Sequence, residues 1–179
     1  MSQIEQRTGN LVAELLESEE PSIRLQVRLG VQNAEEGDVR DLREEVRRSS
    51  RVATLLSERT ADGTINADPY RAKWYGAHWV LVTLAELGYP AGDETLIPLR
   101  DQMLSWLFAS DYLNSLGRIH GLPRLHGSIE GNALWAMLTL GLADERAELL
   151  AERLRGAQWP DGGWNCDRNA TGRSGGFKR

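Results

Sequence analysis

His78 stands in the stretch KWYGAHW, residues 73–79, between Trp74 and Tyr75 on one side and Trp79 on the other. An imidazole among three aromatic rings could line an apolar cavity or hold a cation against π faces. His126, Asn132 and Trp135, further along the chain, are the residue types that would complete such a lining. A second set is His120 and His126 with Ser128 and Glu130, which contains the parts of a nucleophile, a base and an orienting acid. Cys166 and Asp167 are metal-ligating types, but their ligand count falls short of a zinc site. Arg168, Arg173, Lys178 and Arg179 lie among glycines and could touch an anion. Each set also has a plainer reading. Aromatic residues at helical spacing make ordinary core, loop histidines bond to turns or water, Cys166 fits a core or rim position, and basic chain ends fray. No catalytic or metal constellation is complete, and no cofactor is implied.

The bulk properties narrow the classes. At 179 residues the chain can bury a continuous core, and 41% hydrophobic with 26% charged residues describes a soluble globular protein. A net charge of -5 gives no general attraction for phosphate backbones, so nucleic acid is not an expected partner. The single cysteine cannot form an intramolecular disulfide, and the start MSQIEQRT has neither a basic nor an apolar leader segment, which predicts a cytoplasmic location. The longest apolar run, residues 79–85, is too short to span a bilayer.

The elements that must position these residues read as helices. Leu11, Val12, Leu15 and Leu16 share one face, with Asn10 as a candidate N-cap. Ile23, Leu25, Val27, Leu29 and Val31 alternate as a strand would, but Pro21 and Ser22 make a helix start and no segment offers a partner strand, so a helix is expected. Residues 38–58 form a third amphipathic segment, breaking near Ser49 and Ser50. Four longer helices are expected over 74–87, 95–108, 130–140 and 144–158, punctuated by Gly88, Pro90, Pro98 and Gly141.

A repeat underlies this pattern. DGTIN from Asp62 and Gly63 matches DGGWN from Asp161 and Gly162 at an offset of 161 − 62 = 99, and Leu87-Gly88 matches Leu140-Gly141 at 140 − 87 = 53. Units of roughly 50 residues, each a turn, an apolar helix, a glycine stop and an amphipathic helix, fit both offsets. Residues 111–126 would be the middle turn region, its motif lost. On this pattern the two Asp-Gly turns should lie on the same rim of a stacked arc.

The stretch QWPDGGW, residues 158–164, resembles the QW repeat of squalene and hopene cyclases, shared in looser form with protein prenyltransferase β subunits. Residues 73–88 and 129–141 resemble the helices between such repeats, and the likeness covers about 57–165. It implies an all-α chain of helical hairpins forming part of an α/α toroid over 57–167, a HEAT-like lead-in over 1–56 and a flexible tail over 168–179. It also implies that Gln158 caps a neighbouring helix end and that Trp164 stacks on it as a clamp, with an isoprenoid or other apolar molecule as ligand. The DxDD acid motif of the cyclases and the DDxxD diphosphate motif are both missing. The alternative is a non-catalytic helical module that binds a partner or ligand. Because no helix follows Trp164, an incomplete toroid is expected, with uncovered apolar faces favouring self-association.

Overall fold

The computed structural model describes residues 3–119, 121–159 and 162–164. His120, Pro160, Asp161, Cys166, Asp167 and the basic tail lie outside the described residues.

The fold is all-helical, with α1 (Gln3–Leu16), α2 (Pro21–Gly30), α3 (Arg40–Arg47), α4 (Ser50–Leu56), α5 (Ala77–Leu87), α6 (Ile97–Phe108), α7 (Ser110–Ser115), α8 (Gly127–Thr139) and α9 (Glu145–Gly156). Short 3-10 turns at Glu36–Val39 and Glu94–Leu96 lead into α3 and α6. The glycine-rich middle segment makes α7 and a two-residue antiparallel ribbon, in which Arg118 pairs with Pro123 and Ile119 with Leu122. No described helix is long and apolar enough to cross a membrane.

The local chemistry explains the boundaries. Glu20 accepts from the backbone N–H and hydroxyl of Ser22, and Pro21 presets the first turn of α2. The alternating pattern of this segment is a helix packed on both sides: α1 and α3 flank it, Leu25 and Val27 are buried, and Val31 is left exposed past its end. The break at Ser49 is a cap, its hydroxyl accepting from the Val52 N–H. Asn10 is not a cap, since α1 already begins at Gln3. Nor does α5 begin at Trp74. Gly76 caps it and packs so closely on the backbone of Asp68 and Pro69 that any Cβ would collide with their carbonyls.

Helix directions follow from the ties between ends. Gly92 N–H donates to the Leu140 carbonyl (2.9 Å), so α5 and α8 finish side by side and run the same way. Arg100, in the first turn of α6, donates to the Leu142 carbonyl (3.1 Å), so α6 runs opposite to α8. Arg153 near the end of α9 reaches the Leu107 carbonyl (2.9 Å) at the end of α6. Leu25, Val39, Val46 and Val52 from the first helices belong to the same buried cluster as Leu84, Leu99, Met103 and Leu140. Gly88 and Gly141 both take left-handed backbone after α5 and α8.

The two turns share a backbone bonding pattern among the described residues. Gly63 N–H donates to the Thr60 carbonyl and Thr60 N–H to the Thr64 carbonyl; Gly162 donates to Trp159 and Trp159 to Gly163 in the same pattern. Both glycines are left-handed, at φ 83° and 90°. Their positions differ. The first turn sits on Pro98 at the start of α6, whereas the second sits by Trp164, which packs over Gly127 at the start of α8. Because α6 and α8 run in opposite directions, the turns lie at opposite ends of the helical layer. This overturns the expectation of one shared rim. The 99-residue offset reflects a turn sequence used twice, each stabilised by its own hydrogen bonds.

Candidate functional site

The end of the layer where α5 and α8 begin holds most of the aromatic and buried titratable groups. Residues 67–76 fold back onto α5 because Gly76 permits the close approach; two hydrogen bonds to α5 hold them there and a third ties the segment to itself. Pro69 carbonyl accepts from His78 N–H (3.1 Å), Tyr70 carbonyl accepts from the Trp79 indole (2.7 Å), and Asp68 Oδ1 accepts from Arg71 N–H (2.6 Å). Tyr70 is thereby stacked between Trp79 (5.1 Å) and Trp106 (5.9 Å), and Trp106 leans on Tyr112 (4.6 Å).

The aromatic row ends on an acid. Tyr112 donates its hydroxyl to Glu130 Oε1 at 2.5 Å, and Glu130 is fully buried with Oε2 unpaired. Burial pushes the Glu130 carboxyl up from its ordinary range and, with the charge of Glu130, pushes the Tyr112 phenol up as well. Arg153 supplies compensating charge; burial lowers its pKa while Glu130 opposes that shift, and its guanidinium lies 4.3 Å from the Phe108 ring centre. At the other end of the row His78 is wholly buried, edge-on to Tyr70 and Trp79 at 5.2 Å. Neither ring nitrogen has a hydrogen-bond partner, and burial lowers its pKa to about 4.

Beside this row is a pocket of about 300 Å³, lined by the rings of Trp106 and Tyr112 together with Asp68, Arg71, Ala109, Asp111 and Ser115. Arg71 forms no ion pair with Asp68 or Asp111, whereas Arg100, Arg146, Asp101 and Asp144 make a tight cluster elsewhere.

No family model, curated protein or solved structure matches this chain. Nothing identifies a cyclase relationship, and the described residues of the 158–164 motif bond locally. Gln158 is exposed and donates to the Gly162 carbonyl (2.6 Å) within its own turn, instead of capping a neighbouring helix. Trp164 is 37% exposed and its indole donates to the Leu154 carbonyl (2.8 Å), closing the end of α9 itself. The buried anchor of the motif is Trp159.

Of the seven residues expected to line a cavity, Trp74, His78 and Trp79 are in ring contact, and none of the seven lines this pocket. Trp74 and Tyr75 are 62% and 67% exposed, because the helix begins after them. His78 is core and Trp79 half-buried. His126 precedes α8 with its ring 3.5 Å from Arg124, Asn132 is half-buried on α8, and Trp135 is exposed. Glu130 turns to Tyr112 and Ser128 is exposed, so His126, Ser128 and Glu130 do not assemble as nucleophile, base and orienter. Among the described residues no group of three or more His, Cys, Asp or Glu is placed to hold a metal. Tyr70, Trp106 and Tyr112 carry the site instead. The signal for them was the pairing of Asp68-Pro69 with Gly76, a turn and a close approach that fold one segment back on the next helix.

Proposed function

We propose that this chain is a non-catalytic helical module that binds a small molecule in the Trp106–Tyr112 pocket. The observation that carries this reading is the pocket's composition: an aromatic wall with charges of both signs left unpaired at its edge. Its volume lies at the small end of the range for ligand sites, about 300–1,000 Å³. Unpaired charges beside an aromatic face are ready to act on a ligand without first breaking ion pairs of their own. The charge and lone cysteine favour a cytoplasmic setting. Ala109→Phe would put a large ring into the lining of the pocket. A library of small metabolites should contain compounds that raise the melting temperature of the native protein but not of Ala109→Phe. A library that shifts both proteins equally would remove the reading.

The isoprenoid reading has one foothold, an open groove of about 340 Å³ lined from α4 and α5 by Leu55, Leu87, Thr83 and Arg51, the last ion-paired with Glu20 at 2.7 Å. Farnesyl diphosphate could lay its chain on the leucines and its diphosphate on Arg51. Stabilisation by farnesyl diphosphate that is lost in Leu55→Glu would support that second reading.

A further inference from the structure

We infer that the pocket ligand is a free α-amino acid with a large apolar side chain, an inference that rests on the binding reading above. Arg71 stands at the pocket edge together with Asp68 and Asp111, yet forms no ion pair with either. Arg24, Arg43, Arg47, Arg100 and Arg146, by contrast, are paired with nearby carboxylates. A guanidinium and two carboxylates that line one pocket without pairing match a ligand whose own charges are opposite and separated. The guanidinium fork suits the carboxylate of such a ligand, because it can donate two parallel hydrogen bonds. The ammonium group suits the two aspartates. Asp68 commits Oδ1 to the backbone N–H groups of Tyr70 and Arg71, which fixes the carboxylate in place and leaves Oδ2 available.

The side chain of the ligand has a surface to meet. Trp106 is half-buried, and its ring plane is set by stacking on Tyr70 at an interplanar angle of 13° and by Tyr112 on another side. A fixed aromatic face favours a flat or bulky apolar group and adds attraction for the ammonium. The same edge charges disfavour the obvious alternatives. Two aspartates repel a phosphate or a dicarboxylate, Arg71 repels a polyamine, and a plain hydrocarbon would desolvate all three charges without replacing their hydrogen bonds.

The test is calorimetric titration of the full chain at low ionic strength with L-tryptophan, L-phenylalanine and L-leucine. Parallel titrations use L-tryptophanamide, which lacks the carboxylate, and N-acetyl-L-tryptophan, which lacks the ammonium. At least one free amino acid should bind, and both singly charged analogues should bind at least about tenfold more weakly than L-tryptophan. Arg71→Gln should weaken amino-acid binding by about the same factor and leave the amide unchanged, and Asp111→Asn should do the converse for the N-acetyl form. Both positions are exposed, so circular dichroism should show an unchanged fold. An amide that binds as well as the free amino acid would mean a cationic ligand, and an N-acetyl form that does so an anionic one; either overturns the inference. If no amino acid binds while the Ala109→Phe comparison still reveals other ligands, the zwitterion falls and the pocket stands. If neither experiment shows binding, both fall.

Discussion

Lowering the pH from 7 to 5 is expected to destabilise the native protein by about 2 kcal/mol through His78 alone. The ring is fully buried against Tyr70 and Trp79, and neither nitrogen has a partner, so a proton taken up there would place an unsolvated cation in the core. Its folded pKa is lowered to about 4 by burial, from an ordinary value of 6.5. The unfolded chain therefore binds a proton at this site below pH 6.5 while the native state declines it until about pH 4. Stability is complete above 6.5, falls through the window between the two values, and levels off below the lower one. The whole shift of about 2.5 units corresponds to about 3 kcal/mol. The assay is urea denaturation at half-unit steps from pH 7.5 to 4.5, on the native protein and on His78→Phe. The phenyl ring keeps the edge contacts and has no nitrogen to protonate, so the variant should lose the slope between pH 6.5 and 5. At pH 7.5 the two should agree within about 1.5 kcal/mol, the usual cost of a near-isosteric core exchange. An equal slope in both proteins would refute the reasoning.

Trp164→Ala should cost about 2 kcal/mol, less than a buried tryptophan, because the ring is partly exposed and contributes one carbonyl cap and its packing over Gly127. Trp159→Ala, at 6% exposure, should cost about 3 to 5 kcal/mol; thermal melts would rank the two. Gly76→Ala should destabilise by about 3 kcal/mol and weaken any pocket ligand, since the added methyl collides with the carbonyls of Asp68 and Pro69; a variant of unchanged melting temperature would contradict this. Burial pushes the Asp93 carboxyl up, but donation from Tyr89, Thr95 and Arg47 outweighs this and holds it well below the usual carboxylate range. Its contribution is therefore present above about pH 4 and is lost as the pH falls further, so Asp93→Asn should be destabilised by about 2 kcal/mol at pH 7 and by less at pH 2, measured by denaturant melts.

What could be read from the sequence was whatever a few adjacent residues decide. Pro21 and Ser22 outvoted an alternating pattern, Ser49 marked a break, and Gly88 and Gly141 ended their helices in left-handed backbone. The candidate site was harder because its members are far apart in the chain. Tyr70, Trp106, Tyr112 and Glu130 meet only once α5, α6 and α8 have docked, and no spacing between them signals it. Trp74 and Tyr75 misled because helical periodicity was extended three residues beyond the true start at Ala77. The turn at Asp62 and Gly63 misled differently. Its two backbone hydrogen bonds recur among the described residues of the later copy, but local bonding carries no information about which end of the layer a turn will occupy.

The basic residues are nearly all arginine, Lys73 and Lys178 being the exceptions, and several reach the last carbonyls of helices other than their own. Arg43 donates to Gly88 at the end of α5, Arg100 to Leu142 beyond α8, and Arg153 to Leu107 in α6. A helix end closed by its own residues can fray and re-form independently. Here each helix makes its own closing bonds and a further donor arrives from a neighbour, so the final turn of one helix is held best while another is docked beside it. Fraying of single helices is thereby coupled to separation of the layer, and amide protons around these ends should exchange together, in one concerted opening, and not helix by helix.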